Sequence, residues 1–344
     1  MKIQDAETLF SEGEKKRGRS RFLDAIPIYI KVKRLSSSDM ELNLSCFMAL
    51  GDCYRMVGEY KKALLSYEEA CSVADFLGNT EAACDALVGL GLTLRAFGDH
   101  RSAIKIFRRA EGIYERMDDL QGLAFTLWAR GGAYRIKGDL KRALEVFSEA
   151  MELFNGLGGK PGMGYCLCGL GGVSRMMGEY SDSLRYYSRA NRVFLSLRDT
   201  FGVAYSYCGL GNAKRMKGDF NTALKYFRKA KTNYKRIGDR VSFAYTLWGE
   251  GTTFKMMGRL KKAATNFENA QGLFKETKDE RGLVYCKLSI GELDYLNGRY
   301  RKAKTLFRGA FKRAEMFSFG VELKYCKRLL HAADTGRGFP FNLP

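Results

Sequence analysis

An all-α solenoid of stacked helical hairpins is what these 344 residues predict, on three observations. The first is a fixed period. Stepping by 40 from Gly51 gives Gly91, Gly131, Gly171, Gly211, Gly251 and Gly291; stepping from Gly58 gives Gly98, Gly138, Gly178, Gly218, Gly258 and Gly298. A period of about 20 to 50 residues marks a repeat architecture. The second is an alternation of small and large residues in the same register. Ala70 recurs as Ala110, Ala150, Ala190, Ala230, Ala270 and Ala310, and Tyr67 as Phe107, Phe147, Tyr187, Phe227, Phe267 and Phe307. The third is composition. With 46% hydrophobic and 13% aromatic residues the chain carries a large core, which excludes a disordered class. Nine Cys without a CxxC pair exclude a disulfide scaffold and point to reduced thiols in a cytoplasmic chain. No run of about 18 apolar residues occurs, and the charged N-terminus lacks a secretory core, so neither membrane insertion nor export is expected.

The elements follow in order. Residues 1–40 read as an imperfect capping repeat, in which Gly18, Ala25 and Tyr29 echo Gly58, Ala63 and Tyr67 at a spacing two residues longer. Residues 41–320 hold seven 40-residue repeats in unbroken register, expected to form one array. In the first of them a helix from about 41 to 57 stops at Gly58, since glycine adopts the left-handed conformation that ends a helix. Phe47, Leu50 and Tyr54 fall on its packing stripe, with Gly51 beside them to admit a second backbone. A second helix from about 60 to 77 places Ala63, Tyr67 and Ala70 at i, i+4 and i+7, and ends at the polar turn Gly78-Asn79. Residues 321–334 add a capping helix, as a solenoid end requires. Residues 335–344, with Gly and Pro interleaved with Phe, read as a flexible tail, with docking of the two rings as the alternative.

This order of Gly, Tyr and Gly, then Ala, aromatic and Ala, resembles the tetratricopeptide repeat, over about 280 residues. The lengthened unit, as in Tyr207 to Arg228, resembles the Pins/LGN type; the family's Pro between units is replaced here by Gly/Asp turns. The resemblance implies a right-handed superhelix whose first helices line a concave groove, and it implies capture of peptides.

Residues opposite the packing stripe of the first helix are the candidates for recognition. One column reads Arg55, Arg95, Arg135, Arg175, Arg215, Lys255 and Tyr295. A guanidinium fork suits carboxylate or phosphate. The competing reading pairs each cation with the acid four residues on, Glu59, Asp99, Asp139, Glu179 or Asp219, near a helix end whose dipole also favours positive charge. A second column gives Tyr165, Tyr205, Tyr245 and Tyr285, and a third Trp128 and Trp248. These rings either receive ligand side chains or bases, or are buried where neighbouring first helices pack. Asn212 is the candidate clamp on a ligand backbone.

The net charge of +20 favours anionic partners. A basic run from Arg299 to Arg328 reads as a solvated face or a docking patch. Catalysis finds little support: the two histidines, His100 and His331, have no triad spacing, and Cys166 and Cys168 point to opposite sides of one helix and cannot share a metal. No catalytic residue, metal or cofactor is therefore expected. The expected function is a cytoplasmic adaptor that binds an extended acidic segment of a partner protein in the groove. The alternatives are single-stranded RNA on the same columns and a sensor for a small anionic ligand.

Overall fold

Aspartate at the turn starts many of the helices. In the computed structural model, which describes residues 2–19, 21–339 and 341–343, the Asp39 carboxylate accepts from Leu42 N at 2.9 Å. Asp99, Asp199, Asp239 and Asp279 do the same for their own helices. Each cap satisfies a backbone donor that the first turn leaves open. Gly98, Gly178 and Gly238 end helices in the left-handed conformation.

Seventeen helices and no strand result among the described residues. They are α1 (Lys2–Gly18), α2 (Phe22–Leu35), α3 (Met40–Met56), α4 (Tyr60–Phe76), α5 (Thr80–Phe97) and α6 (His100–Arg116). Then come α7 (Leu120–Lys137), α8 (Leu140–Gly156), α9 (Lys160–Met177), α10 (Tyr180–Leu197), α11 (Thr200–Met216) and α12 (Phe220–Ile237). The chain closes with α13 (Arg240–Met256), α14 (Leu260–Glu276), α15 (Glu280–Leu296), α16 (Tyr300–Met316) and α17 (Gly320–Thr335). Hairpins such as α3 with α4 and α11 with α12 match the sequence boundaries within about one residue.

Contacts divide the chain into two compact units, Met1–Arg130 and Gly131–Pro344, although the sequence register crosses the division without a break. In the second unit, α9, α11, α13, α15 and α17 each touch the next of the set and form one layer of first helices, with the second helices packed behind. The glycine–aromatic alternation explains the closeness of this packing. Tyr187 of α10 is wedged between Gly171 of α9 and Gly209 of α11, where a Cβ on Gly209 would strike its ring. Tyr67, Phe107, Phe227, Phe267 and Phe307 are likewise buried beside the glycines of their repeats. Gly320 approaches main chain rather than a ring. It begins α17 against the end of α7, and a Cβ there would collide with the Lys137 carbonyl.

Candidate functional site

The column predicted as a uniform ladder of cations is not uniform. In the first unit, Arg55 donates to the Asp52 carboxylate at 3.0 Å, and Asp52 also takes Arg17 at 2.9 Å and the Tyr67 hydroxyl at 2.8 Å. Against the cost of burial, Tyr67 and Asp52 hold the Arg55 guanidinium above its ordinary range. The partner acid thus lies three residues before the arginine, one turn back on the same helix. Of the acids expected as partners, Asp99 and Asp219 cap the following helices, and Asp139 lies 3.4 Å from Arg142. Arg95 donates to the Ala129 carbonyl at 3.0 Å and lies over the ring of Trp128.

In the second unit the position three residues before the cation is Gly132, Gly172, Asn212, Thr252 and, in the last repeat, Glu292 before Tyr295. This substitution sets the fate of each cation. Arg135 and Arg175 stand beside glycines, and no carboxylate contacts them among the described residues; Arg135 Nε, Arg175 Nε and Arg175 Nη1 are buried without a hydrogen-bond partner. A methyl group added to Gly172 would come 3.6 Å from Arg135 Nη1 and 3.3 Å from the Tyr187 hydroxyl, so the missing side chain leaves room for the guanidinium of the preceding repeat. Lys255 is fully buried and ion-paired with Glu292 of the next repeat. Burial pushes both members of that pair toward their neutral forms, and their mutual attraction opposes it.

Arg215 is also fully buried, and its Nη2 donates to Asn212 Oδ1 at 3.1 Å. Burial, then the like charge of Arg175, pushes its guanidinium below the ordinary range. Asn212 therefore does not act as a free clamp: its amide nitrogen donates to Cys208 O at 3.1 Å and its oxygen positions Arg215.

The predicted rings divide in the same way. Tyr165 and Tyr245 donate their hydroxyls to Asp199 and Asp279, each at 2.9 Å, and pack on Phe194 and Phe274. Trp248 is buried against Tyr285, with centroids 4.6 Å apart, and donates to Ser289 Oγ at 2.9 Å. Tyr205 stacks on Phe201. Much of the ring surface is thus spent inside the fold, on second helices for Tyr165 and Tyr245 and on a neighbouring first helix for Trp248 and Tyr285. The remaining edges meet at a cavity of about 290 Å³, walled by Arg135, Arg175, Tyr205, Asn212, Trp248 and Tyr285 among others. Arg281, missed from the sequence, also lines it and pairs with the buried Glu322 at 2.7 Å.

The described part of the terminal segment is docked rather than free; Pro340 and Pro344 lie outside the described residues. Phe339 stacks on Tyr295 with centroids 4.0 Å apart. The Phe341 amide donates to Glu292 Oε1 at 2.7 Å, while its carbonyl accepts from Lys255 Nζ at 2.7 Å. Leu343 is buried, and its carbonyl accepts from Arg215 Nη2 at 2.7 Å. Asn342 bonds Arg215 through both its oxygen and its nitrogen. The basic run is less solitary than its sequence suggests, since Arg299 pairs with Asp294, Lys304 with Asp334 and Arg313 with Glu280.

A two-layered stack of helical hairpins with a cationic cavity on its first-helix layer defines the class of the second unit, an α-solenoid. The family model of the tetratricopeptide repeat matches residues 122–196 and 167–236, and the 40-residue register carries the same pattern beyond them. Residues 122–236 therefore carry tetratricopeptide repeats. In fold it is similar to a Rap protein complexed with competence and sporulation factor, with a TM-score of 0.64 and 15% identity over 97% of this chain and 98% of that one. It is also similar to the Cut9-Hcn1 hetero-tetramer of the APC/C, with a TM-score of 0.62 and 15% identity over 94% of this chain and 55% of that one. No curated protein matches the sequence. Among the described residues no helix is long and apolar enough to cross a membrane.

Proposed function

We propose that the chain is a non-enzymatic, cytoplasmic adaptor whose second unit binds an extended acidic segment of a partner protein along the first-helix layer. One observation carries this reading: Arg135 and Arg175 face a cavity without a carboxylate of their own, while Arg55 and Lys255 are neutralised within the fold. A half-buried cation with buried nitrogens that lack hydrogen bonds carries a cost, which a ligand carboxylate reduces. Tyr205, Tyr245, Trp248 and Tyr285 wall the same cavity and give ligand side chains an apolar surface. That a Rap protein of similar fold is complexed with a factor is consistent with this use of the array.

Single-stranded RNA fits less well. Base stacking needs open ring faces, and Trp248 and Tyr285 are packed on each other. Fluorescence anisotropy on the purified protein separates the readings, using a labelled Glu-rich octapeptide and a labelled oligouridylate. The expected result is peptide binding that weakens about tenfold or more in the Arg135→Ala/Arg175→Ala variant. Stronger binding of the oligouridylate, with a steep salt dependence, refutes the proposal. Binding of free glutamate or inorganic phosphate as tightly as the peptide places a small anion there instead.

A further inference from the structure

The terminal segment treats the first-helix layer as a peptide ligand would. Residues 339, 341 and 343 meet Tyr295, Lys255 and Arg215 in turn, so the segment advances one repeat for every two residues, in the direction opposite to the repeats. These three partners all belong to the column of Arg55. Two of the contacts, from Lys255 and Arg215, fall on main-chain carbonyls, which any peptide can offer. Beyond Arg215 the column continues to Arg175 and Arg135, the cations without partners, and Arg215 joins the two regions: it holds the segment and also packs on Asn212 and Trp248, both walls of the cavity. The connection to α17 is built to pivot. Gly336 and Gly338 both lie at positive φ, +72° and +93°, a conformation that glycine alone adopts freely, and Arg337 between them is exposed.

We propose that Phe339, Phe341, Asn342 and Leu343 are a built-in occupant of the groove, and that an incoming peptide displaces them by offering carbonyls to Lys255 and Arg215 and a ring to Tyr295. This rests on the groove reading of the preceding section and adds its regulation. A tethered competitor at an effective concentration near the millimolar range lowers the apparent affinity for any ligand that overlaps it. The occupant's chemistry also states part of the partner's: an aromatic residue, a second one two positions on, then Asn and an aliphatic residue, followed by acidic groups that reach Arg175.

The test uses the full chain and a labelled peptide of the sequence from Arg337 to Pro344 as the probe in trans. In the wild type the site is filled. In the Phe339→Ala/Phe341→Ala/Leu343→Ala variant it is open, and the probe is expected to bind at least about tenfold more tightly, with Arg215→Ala in the same background removing the gain. Equal binding to wild type and variant overturns the proposal, as does no binding to a variant that retains its helical circular dichroism. Should the variant unfold, hydrogen exchange on the wild type decides. The Phe341 amide is expected to exchange slowly, and to quicken when the Glu-rich octapeptide is added; an amide that exchanges at the free-chain rate throughout refutes docking. The two readings fail separately: an octapeptide that binds wild type and variant alike sinks the displaceable occupant only, whereas failure of both probes sinks the groove itself.

Discussion

Arg55 and Arg175 hold the same place in their repeats and do opposite things. Arg55, in the first unit, is tied to Asp52, which also gathers Arg17 and Tyr67 into one network. Arg175, in the second, has Gly172 where Asp52 would be, and two of its nitrogens are buried without a partner. A repeat thus fixes where a side chain stands, while the residue one turn earlier supplies or withholds a carboxylate for it. Lys255 is a third case, neutralised by Glu292 of the following repeat.

Removing each cation in turn separates the two behaviours. Lys255→Ala leaves Glu292 buried and unpaired and is expected to cost about 3–5 kcal/mol, whereas Arg175→Ala is expected to lie within about 1 kcal/mol of wild type; urea unfolding reads both. Similar losses at the two positions would show that Arg175 is also structural. Alkali comes next. Burial raises the thiols of Cys46 and Cys53 to about 12, those of Cys71 and Cys84 to about 11, and those of Cys166, Cys286 and Cys326 to about 12, from an ordinary 9. Above pH 9 the unfolded chain sheds thiol protons that the folded chain keeps. The stabilisation present at neutral pH is therefore lost progressively as pH climbs toward 11–12. The urea midpoint should fall between about pH 8 and about pH 10 in both units, by up to about 1.3 kcal/mol for each buried thiol; a flat profile contradicts the burial of these thiols.

A smaller effect is expected from Asp52→Asn. It frees Arg55 and weakens the hydrogen bonds of Arg17 and Tyr67, at a cost of about 1–2 kcal/mol by thermal melting, because the carboxylate is partly exposed. The smallest concerns the turns. Arg198 and Lys278 sit at φ +56° and +53°, where Gly78 and Gly238 stand in other repeats. Arg198→Gly should stabilise by about 0.5 kcal/mol, the relief of left-handed strain being offset in part by chain entropy. A loss of stability would mean that the arginine contributes contacts that exceed its strain.

The helical hairpins were legible in the sequence because glycine, alanine and aromatic residues recur at fixed intervals and each has one steric use: Gly209 yields to the ring of Tyr187, and Gly58 ends a helix. The cation column was legible for the same reason. The fate of its members was not, since the sequence offers an acid four residues on, Glu59 and its equivalents, whereas the partner lies three residues back, at Asp52, or in the next repeat, at Glu292. The aromatic columns misled in part, because Trp248 and Tyr285 satisfy each other before they satisfy a ligand. The docking of Phe339 and Phe341 is a long-range match of a short segment to residues some 45 to 130 positions away, and no local pattern encodes it.

The most direct measurement places in the second unit the acid that neutralises Arg55 in the first. Gly172→Asp sets a carboxylate three residues before Arg175, on a Cβ that would lie 3.6 Å from Arg135 Nη1 and 3.3 Å from the Tyr187 hydroxyl. Calorimetric titration with the Glu-rich octapeptide, on protein whose melting temperature is equal to or above that of the wild type, should show affinity reduced about tenfold or more. Unchanged affinity in that folded variant would contradict the claim that bare arginines beside glycines are the recognition site.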